Sequence, residues 1–307
     1  MANAIIEKVF PVFVSCITVL LLNGCASMQR PGSAITVVET PHLIVRDKTG
    51  QLTDEQVRKI ADKADNALRE VLKFWSEDPK VDELGKIRLE LERPRGEGQH
   101  YAFFKSEWEG SNKKRIVYVF GLDKEPQMMV HKLTHAIFFH EDKLIRNMIG
   151  IPMQVLFGNR LAFPMCGFNN AAWVLAFRQI KLNIPLNNLG PEHESWGMTM
   201  KGKFPTLTSR TTQHIAYAEA GSFGFYLLDT YGVEKIKNFY RLSLQKKRPW
   251  KDIFGMTLRD LETNWVRSLE SIQQKEEGVS ELRRIFRIRP DQACFDAQDF
   301  ILVQDRF

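Results

Sequence analysis

Two histidines four residues apart are the residues of this sequence that are best placed for chemistry. His131 and His135 lie within an apolar segment, residues 128–140. Positions i and i+4 of an α-helix lie one above the other on the same face. A helix here would therefore point both imidazoles at one metal ion, and imidazoles at this spacing are common zinc ligands. The sequence thus predicts a helix with two candidate zinc ligands, His131 and His135.

The residue after the first histidine limits what this pair can do. In the HExxH motif of zinc peptidases that residue is a glutamate, which takes a proton from the zinc-bound water. Lys132 holds this general-base position here, and a charged lysine has no acceptor for a proton. An ammonium about 5 Å from Zn²⁺ also raises the energy by roughly 6–7 kcal/mol, as an upper estimate, at an effective dielectric of about 20. We therefore assign no catalytic residue from the sequence.

The segments that precede the histidines predict an α/β half. A capping box, Thr53 with Gln56, opens an amphipathic helix that runs to about Trp75. The segment 93–100 contains proline and glycines and predicts a loop. Apolar or alternating segments predict four strands, at residues 35–38, 42–46, 87–91 and 116–120, of which 87–91 has the pattern of a half-buried strand.

Helices predominate after the histidines. One is predicted at 212–231, where Gly232 ends it, and another at about 233–244. A capping box at Thr257 starts a further helix. No strand is predicted from Ile149 until the C-terminal segment, whose structure the sequence does not indicate.

The predicted fold class is therefore α+β. A small mixed sheet with helices leads into the HxxxH helix, and an all-helical half follows. The predicted parts are an N-terminal α/β subdomain, a helical subdomain of the same domain and a C-terminal tail, at residues 35–125, 126–275 and 276–307.

The first residues have the pattern of a bacterial lipoprotein. An apolar run at 9–22 is shorter than the ~20 residues that a membrane-spanning helix needs, and it predicts a signal peptide at 1–24. The sequence Leu-Asn-Gly-Cys that closes it resembles a lipobox, so Cys25 is the predicted lipidation site and 25–34 a tether. The alternative is a buried helix that ends at a chance Gly-Cys pair. The lipobox implies a membrane anchor with several acyl chains, of which two suffice for stable attachment.

Charge and cysteine content limit the partners and the compartment. The net charge of +6 favours anionic ligands or surfaces, and no Lys/Arg stripe with interleaved aromatics indicates nucleic-acid binding. We predict a lipid-anchored location in the cell envelope, at the periplasmic face of the outer membrane. There, Cys166 and Cys294 would form either a disulfide or two buried thiols.

The order of these features resembles the gluzincin zinc peptidases, and most closely the peptidase-MA-like domains of bacterial envelope proteins. Four segments carry the resemblance: the strand 115–120, the histidine segment 131–136, the run 216–223 followed by Tyr231-Gly232, and the segment 255–265. The resemblance implies a catalytic zinc held by the two histidines and a third ligand, a glutamate on the next helix. Two segments align with that helix, and they place Phe157 or Ala176 at the position of the glutamate. No Asp or Glu occurs between Asp142 and Glu192.

These gaps leave two classes of function. One is a pseudo-peptidase that acts as a binding or scaffolding module for a peptide or an anionic envelope ligand. Zinc is then absent, and the candidate cleft cations are Arg146, Arg160 and Arg178, each of which has a solvated basic surface as its alternative. The other class is an active zinc peptidase with a non-standard third ligand, for which Glu219 is the speculative choice and the further candidates are Glu192, His193, Glu194 and His214. The pattern favours the first class.

Five residues of this region also have ordinary structural interpretations. His131 and His135 could be core histidines with satisfied hydrogen bonds. His140 is predicted to be a C-terminal helix residue favoured by the helix dipole. Glu141 and Asp142 are predicted to lie in a solvated loop.

Overall fold

The structure, a computed structural model, describes residues 35–76, 85–93, 102–109, 112–122, 128–202, 204–273 and 278–304. The predicted signal peptide 1–24, Cys25 and the rest of the tether to residue 34 lie outside these residues, as does the loop from residue 94 to 100. Within the described part of the chain, no helix is long and apolar enough to cross a bilayer. Residues Ile35–Phe307 belong to one compact unit.

A mixed five-stranded sheet occupies the first half of the described chain. Its strands are β1 Thr36–Glu39, β2 Leu43–Asp47, β3 Ile87–Glu92, β4 Ala102–Glu109 and β5 Asn112–Phe120. They lie in the order β1-β2-β3-β5-β4. The inner strands β2, β3 and β5 are parallel, and β1 and β4 pair antiparallel at the two edges. The four predicted strands are confirmed, whereas β4 was not predicted because consecutive polar residues at 105–107 hide its alternation.

Nine α-helices occur in the described residues. They are α1 Asp54–Phe74, α2 Met129–Ile137, α3 Lys143–Phe157, α4 Asn170–Gln179, α5 Arg210–Ser243, α6 Trp250–Phe254, α7 Leu258–Gln273, α8 Val279–Ile288 and α9 Ala293–Gln304. The predicted α+β class is confirmed. The capping box of Thr53 is present at the start of α1, and the predicted break at Gly232 is a non-helical residue within α5, with φ of 76°.

The prediction of an all-helical second half is wrong in one place. Met198–Lys201 and Phe204–Leu207 form an antiparallel hairpin, β6 and β7. Each strand has only four residues. Such short strands give too few alternations for a period of two to be recognised in the sequence.

The alternation along β3 also gave a wrong expectation. Glu90 was expected on the exposed side of a half-buried strand, yet it is fully buried. Three cations surround its carboxylate, with nitrogen–oxygen distances of 3.4 Å to Arg46, 3.0 Å to Lys48 and 2.6 Å to Arg88. Arg46 on the adjacent strand, Lys48 just after that strand and Arg88 on β3 itself therefore make burial of this charge tolerable.

The C-terminal residues, which the sequence left unassigned, are part of the core. α8 packs on α4, and α9 packs on α8. Leu282 and Phe286 of α8 are buried. A disulfide joins Cys166, which precedes α4, to Cys294 in α9, with a Cα–Cα distance of 5.2 Å. Of the two alternatives for these cysteines, the structure has the disulfide.

Removal of the disulfide is expected to destabilise the fold. The bond closes a sequence separation of 128 residues, and a cross-link over a long loop restricts the unfolded chain. We expect the double variant Cys166→Ala/Cys294→Ala to lose about 2–5 kcal/mol of unfolding free energy, measured by denaturant titration. Reductant should destabilise the wild type and leave the double variant unchanged. An equal response of both proteins would contradict the prediction.

Candidate functional site

Neighbouring elements hold both ends of the histidine helix. α2 has nine residues and no side-chain cap at Met128, and so short a helix is not stable alone in water. Gln154 of α3 accepts a hydrogen bond from the main-chain N–H of His131, at 3.1 Å. Arg115 of β5 donates through Nη1 to the carbonyl of Ala136, at 3.2 Å. These bonds satisfy terminal backbone groups that have no partner within the helix, so tertiary contacts set its position.

The predicted pair of imidazoles is brought together as its spacing indicated. His131 and His135 are buried, and their ring centroids are 4.1 Å apart. His131 Nε2 lies 3.0 Å from Asn147 Oδ1, and the imidazole of His135 is hydrogen-bonded to the main chain of Arg146. Burial is the main cause that lowers the pKa of both imidazoles well below the ordinary value. Both rings are therefore neutral at neutral pH.

The hydrogen bonding of this pair is incomplete. His131 Nδ1, His135 Nε2 and Asn147 Nδ2 are buried and have no hydrogen-bond partner among the described residues. Each imidazole is thus a core residue with a hydrogen bond at one ring nitrogen only. Buried polar atoms without partners are uncommon in native proteins, and here three of them belong to adjacent side chains.

Gly150 of α3 gives the imidazoles their space. A Cβ atom at this position would lie 2.9 Å from His135 Nε2 and 3.0 Å from His131 Nε2, and closer still to His131 Cδ2. The two Nε2 atoms thus converge over the same glycine. Sequence reasoning missed both Asn147 and Gly150. The two residues are three positions apart in the next apolar segment, so a helix there would place them on one face. That spacing is the sequence signal that could have identified them.

Lys132 lies beside the histidines and is buried as well. It is 7% exposed, and its Nζ lies 5.7 Å from the centroid of the Tyr217 ring on α5. No described residue forms an ion pair with it. Burial, and then the charge of Arg146, lower the pKa of Lys132 from 10.5 to about 7. The general-base position of the peptidase motif therefore holds an amine, and the described charge that shifts its pKa is another cation, Arg146.

Arg146 is the second cation of the site. Its guanidinium lies 5.6 Å from the ring centroid of Phe139, and its Nε is buried without a hydrogen-bond partner. Burial lowers the pKa of Arg146 too, although the charge of Asp142 partly opposes this effect. Of the three arginines predicted for a basic cleft, Arg146 is the one that lies at the histidines.

The other two predicted arginines lie elsewhere. Arg160 is exposed. The charge of Arg178 acts on Glu219 and Glu262. The exposure of Arg160 agrees with the alternative of a basic surface, whereas Arg178 is partly exposed and its charge acts on two carboxylates.

The nearest carboxylates are already engaged. Asp142 caps α3 by accepting from the N–H of Leu144 at 2.9 Å, and it lies 2.6 Å from Arg248. The prediction of a solvated loop at Asp142 is thus wrong.

The predicted role of His140 as a C-terminal residue of α2 is wrong too, because α2 ends at Ile137. His140 instead lies between the helices, 3.2 Å from the carbonyl of Ser243.

The proposed third ligands do not join the histidines. Both carboxylate oxygens of Glu219 accept from the N–H of Ile184, at 2.9 and 3.2 Å, and burial raises its pKa well above the ordinary value. His214 bonds through Nε2 to the carbonyl of Pro164, at 2.9 Å. In the residues that the structure describes, no three His, Cys, Asp or Glu side chains are grouped so that they could hold a metal ion.

The remaining candidates lie at the edge of the cationic cluster. The charges of Lys143 and Arg146 lower the pKa of His193, in addition to burial. Glu192 and Glu194 are exposed and act on Lys143, whose pKa burial lowers to about 8. Their charges therefore act on Lys143, and among the described residues no anion shifts the pKa of Lys132.

The donor atoms at the histidine pair do not suit a catalytic zinc. Such a site normally has three protein ligands and a water, whereas the third group here is the amide of Asn147, already bonded to His131. Phe157, one of the positions aligned with the missing glutamate, packs edge-on against Phe74 with centroids 6.0 Å apart. The buried Lys132 and the partly exposed Arg146 would repel the dication, and no described carboxylate forms an ion pair with either of them. The residues present therefore do not fit the ion that the gluzincin resemblance implies.

Comparison of the chain with protein-family models, with curated proteins and with solved structures finds no match. Nothing in these comparisons bears on the gluzincin resemblance, which stays a prediction. The functional assignment therefore depends on the residues and geometry described above.

A methyl group at Gly150 should disturb the imidazole pair. Although alanine is favoured over glycine in a helix by about 1 kcal/mol, two buried rings would have to shift. We expect Gly150→Ala to lower the unfolding free energy by a net ~1–2 kcal/mol. In a His131→Ala background, which creates space, the same substitution should cost less. Thermal and denaturant unfolding of the double-mutant cycle measure this coupling, and additive effects would contradict the contact.

Replacing the buried amine should stabilise the protein. We expect Lys132→Met to raise the unfolding free energy near neutral pH by about 1–4 kcal/mol. Between pH 7 and 10.5 the unfolded chain binds a proton at Lys132 that the folded chain lacks, so this residue makes wild-type stability rise with pH. The variant should lack that rise. Lys59→Met, at an exposed lysine of α1, is the control. A variant less stable than the wild type would contradict the burial of an unpaired amine.

Proposed function

We propose that this chain is a lipid-anchored protein of the bacterial cell envelope. Its gluzincin-like domain is a pseudo-peptidase that acts as a binding or scaffolding module and performs no zinc-dependent hydrolysis. Cys25 carries the anchor, and the domain faces the periplasm from the outer membrane. The ligand is a peptide or another anionic component of the envelope.

The burial of Lys132 next to the paired histidines carries this proposal. A general base has to accept a proton from water within hydrogen-bond reach of the metal. Lys132 is 7% exposed and lies in the field of Arg146, so a dication between His131 and His135 would face two positive charges. Without a carboxylate ligand, nothing among the described residues offsets that repulsion.

The disulfide supports the proposed compartment. Disulfides persist in oxidising environments such as the bacterial periplasm and are rare in the cytosol. The bond between Cys166 and Cys294 joins the segment before α4 to the C-terminal helix α9. This agrees with export of the chain, which the N-terminal apolar run and Cys25 indicate in the sequence.

The competing function is an active zinc peptidase. The convergence of His131 Nε2 and His135 Nε2 over Gly150 favours it, because zinc-binding helices place their two imidazoles in this way. That geometry agrees equally with descent from a metal site that has lost its carboxylates. Metal content separates the two functions.

Metal analysis of the full chain, purified in detergent and equilibrated with zinc, tests the proposal. We expect well under one zinc per wild-type chain. The double variant Lys132→Glu/Asn147→Asp should approach one zinc per chain, since it removes a cation and places a carboxylate where Asn147 contacts His131. Lys132→Glu alone is the matched control and should gain less. Stoichiometric zinc in the wild type that is lost in His131→Ala, together with peptide hydrolysis, would establish the competing function.

A further inference from the structure

Two cations beside the histidines form no ion pair with a described residue, and the proposed function leaves this unexplained. Lys132 and Arg146 lie on the packed helices α2 and α3, and the charge of Arg146 lowers the pKa of Lys132. Lys132 is 7% exposed, and Arg146 Nε is buried and unpartnered. Charges inside proteins are normally paired, because an isolated buried charge is costly. A bound anion would remove this repulsion.

The pair can be reached from the surface. The side chain of Arg146 is partly exposed and lies over the ring of Phe139, which is 43% exposed. The buried ring of Tyr217 lies 5.7 Å from Lys132 Nζ. His135 Nε2, which has no hydrogen-bond partner among the described residues, adds a buried polar atom on the same helix as Lys132. Arg146 thus has an aromatic neighbour that reaches the surface, and Lys132 has one in the interior.

We propose that Lys132 and Arg146 bind a carboxylate ligand. The two parallel N–H groups of a guanidinium match the two oxygens of a carboxylate, and the ammonium of Lys132 supplies a second donor. The aromatic rings of Phe139 and Tyr217 suit the apolar part of an organic acid or of a peptide that ends in a free carboxylate. This inference rests on the proposed function, since it requires that no dication occupies the histidine pair.

A phosphate group suits the site less well. Phosphate sites commonly use the free N–H groups at a helix N-terminus, and Asp142 already binds those of Leu144 and Ile145 at the start of α3. The charge of Asp142 also acts on Arg146.

Calorimetric titration of the full chain in detergent tests the carboxylate site. The probes are acetate, trialanine, trialanine amide and inorganic phosphate. We expect acetate or trialanine to bind and the amide not to bind. Lys132→Met and Arg146→Gln should each weaken binding roughly 10–100-fold, whereas Arg160→Ala, at an exposed arginine, should match the wild type. Thermal unfolding confirms that each variant is folded.

Each outcome decides between alternatives. Binding of trialanine alone assigns the ligand to a peptide terminus, and equal binding of acetate assigns it to small acids; both support the site. Failure of every carboxylate to bind, binding that neither variant weakens, or tighter binding of phosphate would overturn it. Zinc content is measured on the same samples. A zinc-free chain that binds no carboxylate rejects this inference and leaves the proposed function, whereas a zinc-loaded chain rejects the proposed function.

Discussion

The close approach of two imidazoles to a helix backbone is the contact on which the site depends. His131 and His135 can lie side by side against α3 only because residue 150 has no side chain. The bonds from Gln154 and Arg115 to the two ends of α2 keep the helix in that place. A nine-residue helix has little stability of its own, so contacts with the sheet and with α3 stabilise it. The position of Lys132 then follows, because it is on the same rigid helix.

The electrostatics of the site follow from this placement. Lys132 on α2 is buried, and Arg146 is on α3, the helix that packs against α2. Two carboxylates of this part of the domain have other partners. Asp142 accepts a hydrogen bond at the start of α3 and forms an ion pair with Arg248, and Glu219 accepts from the N–H of Ile184. The result is a buried region with neutral imidazoles, an excess of positive charge and several polar atoms without partners. A metal site of the hydrolytic kind requires the opposite distribution of charge.

Much of the scaffold was predictable because its signals are local. Thr53 and Gln56 form the predicted capping box. Gly232 interrupts α5 at the position where its backbone freedom predicted a helix end. Two predictions about the strands failed, one because of contacts with neighbouring residues and one because the strands are short. Glu90 appeared exposed because its strand alternates, yet three cations on neighbouring residues allow its burial. The hairpin of β6 and β7 was missed because four-residue strands carry too little periodicity.

The sequence by itself determined that two histidines share a helix face, that a lysine follows the first of them, and that no acidic residue lies between 142 and 192. Only the tertiary structure decided that Asn147 and Gly150 face the histidines, that Arg146 is the cation beside Lys132, and that Cys166 meets Cys294. The physical reason is that helix periodicity relates residues a few positions apart, whereas these contacts depend on how separate helices pack. The side chains at a helix crossing set the distance between the two helices. The periodicity of one segment does not show which side chains will meet at that crossing.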